Sequence, residues 1–239
     1  MNIISQLDFN TAFHYLVPSL RDGMLIALEA TVLGFVLAAV LGTLIAIGRI
    51  SKMKGLNGFL VVILEVIRGT PLLVQLVYMY YVVPLLISLV VQFWIPNYQY
   101  SMSPFMAGSI GLGINYGCYL SEVVRSSILS IDVGQREAAL ALGYTSRQSL
   151  WFIVIPQALR NVIPVFGNYL VMMIKDTSLL AYITVNELLL RTQSYAAQTF
   201  LTIESYTLLA GAYLILSLPL SQIVRSVEKR MNTNAGKHD

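Results

Sequence analysis

From Met24 to Ile47 the chain carries one charge, Glu29. A helix of about 20 apolar residues covers the hydrocarbon of a bilayer. Inside lipid only helices and closed barrels satisfy every backbone N–H and C=O. This run therefore predicts a membrane-spanning helix, and the remaining runs repeat the pattern. Phe59 to Ile95 is too long for one crossing and is interrupted by Glu65, Arg68 and Pro71. It reads as a short interfacial lead-in followed by a span from about Pro71 to Phe93. Phe105 to Ile128, Ile163 to Ile183 and Tyr206 to Val224 supply three more, so five spans are expected in an all-α membrane protein. Only 11% of the 239 residues are charged, against about 25% in soluble domains. That length leaves no room for a soluble catalytic domain beside the bundle.

Ahead of the first span, Phe9, Ala12, Phe13, Leu16 and Leu20 fall on one helical face. They predict an amphipathic helix along the membrane surface within residues 1–23. The transmembrane region then occupies residues 24–228 and a short tail residues 229–239. No cleavable signal is expected, because the first basic residue, Arg21, follows Asp8 and precedes the first long apolar run.

Basic residues accumulate on the cytoplasmic side of membrane proteins. Arg49, Lys52 and Lys54 follow the first span, and Arg136, Arg147 and Arg160 lie between the third and fourth. The tail adds Arg225, Lys229, Arg230 and Lys237. The link from Ile95 to Ser103 has no charge, and the link after the fourth span sets one base, Arg191, against Glu187 and Glu204. The expected topology has the N-terminus outside and the C-terminus in the cytoplasm. Tyr80, Tyr81 and the Trp94 to Tyr100 cluster read as an aromatic belt at the interface.

Several chemistries are excluded. A lone Cys118 permits neither an internal disulfide nor a multi-cysteine metal site. His14 and His238 lie outside the spans, and no glycine-rich loop ends in GK[ST], so the chain has no ATPase site of its own. The basic residues are spread along membrane boundaries, which gives no nucleic-acid surface.

The polar stretch "REAALALGYTSRQSLWFIVIPQALR", Arg136 to Arg160, separates the third and fourth spans. Glu137 to Leu142 are strong helix formers, and Gly143 then stops the run. Thr145 or Ser146 can cap a second short helix leading towards Pro156. The residues alone allow either a helix-turn-helix that docks on a partner or a plain hydrophilic loop with helical ends.

Ionisable groups inside spans are costly and are functional candidates by default. Lys175 and Asp176 sit within the fourth span, either as an ion pair orienting neighbouring helices or as a site for a zwitterion. Glu122 and Arg125 share a face of the third span and can pair; Glu122 is the deeper and better site candidate. Arg68, before Pro71, is placed at a helix entry facing the cytosolic vestibule, and Glu29 at the interface.

Glu137-Ala138-Ala139, Gly143, Ile153, Ile155 and Pro156 have the spacing of the EAA loop of membrane subunits of bacterial ABC importers, with Ile155 where that family has leucine. "RGTPLLVQL", "YLSEVVRSSI", "GQREAALALG" and "KDTSL" follow in family order, so the chain resembles the histidine/glutamine/glutamate permeases. The resemblance runs from the first span to the fifth. It implies the type I ABC importer permease fold, with coupling helices over about residues 132–160. Glu137, Ala138, Ala139, Gly143 and Pro156 would then sit in a cleft on an ATP-hydrolysing subunit. Asp176, Lys175, Glu122, Thr177 and Arg68 are the residues expected along the substrate pathway.

The implied partners are a dimer of ATP-binding subunits, a second permease chain (homodimer or heterodimer) and an extracytoplasmic amino-acid-binding protein. ATP and Mg would be bound by the partner ATPase, with no cofactor in this chain. The implied activity is import of polar amino acids across the bacterial cytoplasmic (inner) membrane. An ATP-independent secondary transporter is the alternative; such proteins show paired repeats with broken helices, whereas here only the region around Pro71 is broken. A structural membrane anchor accounts poorly for charges inside spans.

Overall fold

The computed structural model describes residues 7–51 and 53–233. Lys52, Lys237 and His238, invoked above, lie outside the described residues, as do residues 1–6 and 234–239.

Helix α1 runs unbroken from Phe9 to Ile50. Asp8 caps it by accepting the Thr11 N–H at 2.9 Å. The amphipathic segment and the first span are therefore parts of one continuous helix. Nothing between Leu20 and Met24 breaks a helix, and the inward stripe keeps its register through Ala12, Leu16, Leu20, Gly23, Ala27, Ala30, Gly34, Ala38, Gly42 and Ala46. Ala12, Leu16 and Leu20 are buried against protein, whereas Phe13 on the same expected face is 60% exposed.

After Ser51 the chain turns into α2, Lys54–Arg68, which ends at Gly69. Pro71 then starts α3, Leu72–Val77. A π-turn at Tyr78–Val82 joins it to α4, Val83–Gln92. These segments form one rod over Leu72–Gln92, close to the expected Pro71 to Phe93. Helix α5, Pro104–Leu129, starts at the Ser103 cap.

Helix α6, Val133–Ala141, is capped by Asp132, whose carboxylate accepts the Gly134 N–H. Its end is closed by two backbone bonds, Tyr144 N–H to Ala139 C=O and Gly143 N–H to Leu140 C=O. This pattern needs a left-handed residue, and Gly143 supplies it at φ +90°. Thr145 caps α7, Ser146–Ser149, through a reciprocal box with Gln148. The second short helix, expected to lead towards Pro156, runs on past it. A π-turn at Leu150–Val154 leads into α8, Ile155–Asp176, and a 3-10 turn at Thr177–Ile183 completes a helix continuous from Ser146 to Ile183. Pro156 follows directly on the π-turn, where the backbone hydrogen-bond ladder changes register. Helix α9, Leu188–Thr199, follows, then α10, Thr202–Thr233.

Among the described residues, four helices are long and apolar enough to cross a membrane: Phe9–Ile50, Leu72–Gln92, Ser146–Ile183 and Thr202–Met231. The expected third span is α5, which is long enough but interrupted by Gly108, Ser109, Asn115 and Ser121. It is also the most enclosed helix, with fourteen buried residues. A helix wrapped by other helices does not need an apolar surface, which is why hydropathy alone understates it.

Small residues let α1 and α5 touch. A Cβ on Gly42 would lie 2.9 Å from the Gly117 carbonyl, and one on Gly34 3.2 Å from that of Ser109. Such close backbone approach is the usual basis of helix pairing in lipid. The pairs rise together in sequence, so α1 and α5 are parallel. The α8 helix runs the other way, with Val162 beside Ala46 and Val124 and Met173 beside Gly34. The α10 helix is again parallel to α1: Glu204 accepts the Asp8 N–H, and Leu209 and Ala212 pack with Leu16, Leu20 and Ala27.

Candidate functional site

The break between α2 and α3 opens a cavity of about 370 Å³ against α5 and α8. Its wall is Thr70, Pro71 and Leu72 from the break, Asn115, Tyr116 and Tyr119 from α5, and Tyr169, Met172 and Asp176 from α8. Pro71 cannot donate to the carbonyls of α2, so side chains do so. Thr70 Oγ1 donates to Val66 O at 3.0 Å, and Gln75 Nε2 to Ile67 O at 2.6 Å and Thr70 O at 3.0 Å.

Across the cavity the Tyr116 hydroxyl donates to Asp176 Oδ2 at 2.6 Å. One carboxylate oxygen is thereby engaged and the other left for a ligand. Tyr169 meets Tyr116 edge-on, stacks on Tyr119 at 6.3 Å, and extends an aromatic surface from the carboxylate. The Arg68 guanidinium lies 5.5 Å over the Tyr119 ring. The site thus sets one anion and one cation about an aromatic wall, an arrangement able to hold a zwitterion.

Of the expected pathway residues, Asp176 lines this cavity, Arg68 lies beside it over the Tyr119 ring, and three others are elsewhere. Lys175 is exposed and makes no salt bridge with Asp176, so of the two alternatives the ion pair does not form. Consecutive helical residues project about 100° apart, and Asp176 takes the inward direction. Thr177 is buried and spends its hydroxyl on the Ile174 carbonyl at 2.7 Å. Glu122 belongs to a separate cluster at the end of α1, bound by Arg49 and Arg125 at 3.0 Å each. Two arginines offset its charge and Arg49 holds α1 to α5, with Asn57 of α2 accepting from Arg49 Nε at 3.2 Å.

Sequence reasoning missed Asn115, Tyr116, Tyr169 and Met172. A signal existed: Tyr169, Met172 and Asp176 recur at helical spacing, so the face of Asp176 was readable. Glu187 was also passed over as a link residue. It is fully buried, caps α9 by accepting the N–H groups of Leu189 and Leu190 at 2.8 and 3.0 Å, and accepts the Tyr213 hydroxyl at 3.0 Å. Burial pushes its carboxyl above the usual range despite these donors.

At the opposite end of α8 the loop of α6 and α7 stands clear of the bundle. Glu137, Ala138, Gly143 and Pro156 are exposed, while Ala139 turns inward. Leu142 is 80% exposed, an apolar residue unpartnered within the described chain. No group of His, Cys, Asp and Glu able to hold a metal occurs among the described residues.

Residues 32–233 match the family described as the inner membrane component of binding-protein-dependent transport systems. The chain is 36% identical over 215 residues to the glutamine transport system permease protein GlnP of Escherichia coli (strain K12), covering 90% of this chain and 94% of that one. It is 34% identical over 221 residues to the L-cystine transport system permease protein TcyB of Bacillus subtilis (strain 168), covering 92% and 89%. Its fold superposes on the crystal structure of an amino acid ABC transporter with histidines at a TM-score of 0.82 and 30% identity, covering 94% of this chain and 99% of that chain.

Proposed function

The chain belongs to the inner membrane components of binding-protein-dependent transport systems, and we propose that polar amino acids cross it through the cavity between α5 and α8. It is the permease subunit of an ATP-driven amino-acid importer and a multi-pass protein of the inner membrane. ATP and its Mg act at the partner ATP-binding subunit, and an amino-acid-binding protein delivers substrate. A second permease chain, identical or different, completes the proposed assembly.

The observation carrying the cavity assignment is Asp176, half-buried, aimed at an aromatic wall and held by Tyr116. An amino acid would set its ammonium group on Asp176 and its carboxylate towards Arg68. Glutamine and cystine, named for the relatives, both carry these two groups.

Coupling follows from connectivity. Helix α6 is joined to the end of α5, and α7 passes through a π-turn into α8. A partner closing on Glu137, Ala138, Ala139, Gly143 and Pro156 would move the two helices that carry the cavity wall together. In this reading α5 is the third of five crossings, the loop lies in the cytoplasm and the N-terminus lies outside.

The test is reconstitution with the ATP-binding subunit and binding protein in vesicles. ATP-dependent uptake of L-glutamine or L-cystine is expected, and uptake equally fast without ATP would overturn it. In a Cys118→Ala background, a cysteine at Asn97 should label from outside and one at Ser146 only after permeabilisation. The reverse pattern would invert the topology.

A further inference from the structure

We infer that Gln75 is a positioning residue that fixes the amide of Asn115 with its oxygen towards the cavity, so that the site reads the substrate's ammonium group. The inference rests on the proposed cavity and deepens it. Asn115 is 5% exposed and lines the cavity. An asparagine amide has one donor edge and one acceptor edge, and which faces a ligand is decided by its neighbours.

Here the neighbours leave little freedom. The Gln75 Nε2 group faces three oxygens, Ile67 O at 2.6 Å, Thr70 Oγ1 at 2.8 Å and Thr70 O at 3.0 Å. Two are carbonyls that can only accept, freed by the break before Pro71. Reversing the Gln75 amide would set oxygen against oxygen at both. Its Oε1 must therefore point the other way, towards α5, where it accepts from Asn115 Nδ2 at 3.0 Å. That bond engages one Nδ2 N–H of Asn115 and turns its amide nitrogen towards Gln75. Its Oδ1 has no donor among the described residues and remains as an acceptor beside the cavity.

The wall then offers the free oxygen of Asp176, Asn115 Oδ1 and the Tyr119 and Tyr169 ring faces. All three kinds of group favour a cation or an N–H donor. An ammonium group, with three donors, can satisfy both oxygens at once. The broken helix is thus transmitted through one side chain into the polarity of the site.

The experiment uses the purified permease–ATPase complex in nanodiscs. Binding of L-glutamine is measured beside its 2-hydroxy analogue, in which a hydroxyl replaces the ammonium group. The readout is the ratio of the two dissociation constants, which partial inactivation of a preparation does not move. Gly69→Ala strains the same break, with its Cβ 2.8 Å from Glu65 O, and leaves the Gln75 side chain unaltered; Gln75→Met can neither donate to the carbonyls nor accept from Asn115. Gly69→Ala should keep the ratio within about threefold of the unaltered protein, and Gln75→Met should lower it by about tenfold or more. An unchanged ratio in Gln75→Met, or an equal fall in both variants, overturns the positioning role, because Gln75 then only staples the break. Asp176→Asn separates the two levels: if it leaves amino-acid binding intact, the cavity assignment itself fails.

Discussion

Tyr116 and Asp176, sixty residues apart in the chain, meet in a hydrogen bond of 2.6 Å that ties α5 to α8 across the cavity. Both helices continue into the exposed loop, one through α6 and the other through the π-turn and α7. A single bond therefore sits where motion of the loop would be felt and where a substrate would bind.

Asp176→Asn should lower amino-acid binding and uptake by about 10- to 100-fold, the range for a hydrogen bond to a charged group. Assembly with the ATPase should persist, because Asn can still accept from Tyr116. Tyr116→Phe should cost less, about 1 kcal/mol. Melting temperature and ATPase stimulation by the loaded binding protein distinguish site from scaffold. A variant that melts earlier but is stimulated normally per folded complex would make Asp176 structural.

Gly143→Val should uncouple the loop while the bundle still folds. A Cβ there meets nothing within 4 Å, so the strain comes from the backbone at φ +90°. A β-branched residue tolerates that region poorly, at a cost of about 1–2 kcal/mol. Gly143→Asn should be milder. Co-purification of the ATPase and uptake in vesicles are the measurements, and full retention of both in Gly143→Val would refute the coupling role.

Gly42→Ala should destabilise the bundle by about 1–3 kcal/mol, as overpacking does. Its Cβ would lie 2.9 Å from Gly117 O and 3.0 Å from Leu120 Cβ, forcing α1 and α5 apart. Gly58→Ala in α2 is the control: its Cβ meets nothing within 4 Å, and replacing a helical glycine should be neutral or stabilise by up to about 1 kcal/mol. Thermal melting of the two variants in detergent should therefore shift in opposite directions or, at the least, unequally.

Glu187 gives a pH dependence whose sign is fixed by burial. Its carboxyl is raised in the folded protein, so the folded state binds the proton more readily than the unfolded chain. Its stabilising contribution is complete below the ordinary carboxylate range and fades as pH rises through the raised value. Glu187→Gln can keep the bonds to Leu189 and Leu190 and donate to the Tyr213 oxygen. Its melting temperature should vary less between about pH 4 and 8 than that of the unaltered protein. Parallel pH profiles would rule this out, while Glu187→Ala, which removes the cap, should melt earlier throughout.

The loop between α5 and α8 was legible residue by residue, because capping and helix termination act over a few positions. Gly143 and Thr145 each hydrogen-bond or bend within three residues of themselves. The charged residues were less legible. Lys175, Asp176 and Glu122 all stood in spans, yet one faces out, one lines the cavity and one is clamped by arginines. Charge in a span marks a residue as costly without saying which direction its helix is turned.

What the sequence by itself determined follows from solvent and from local bonds: lengths of apolar runs, helix starts and stops, the break at Pro71 and the family motifs. Tertiary structure alone decided which faces meet. In lipid an outward leucine and an inward leucine are equally apolar, so hydropathy cannot tell Phe13 from Leu16, or mark α5 as the enclosed helix. Contact is instead chosen by shape, where Gly34 and Gly42 admit α5, and by hydrogen bonds between distant segments. Tyr116 and Asp176, or Gln75 and Asn115, become partners only after the helices have been set side by side.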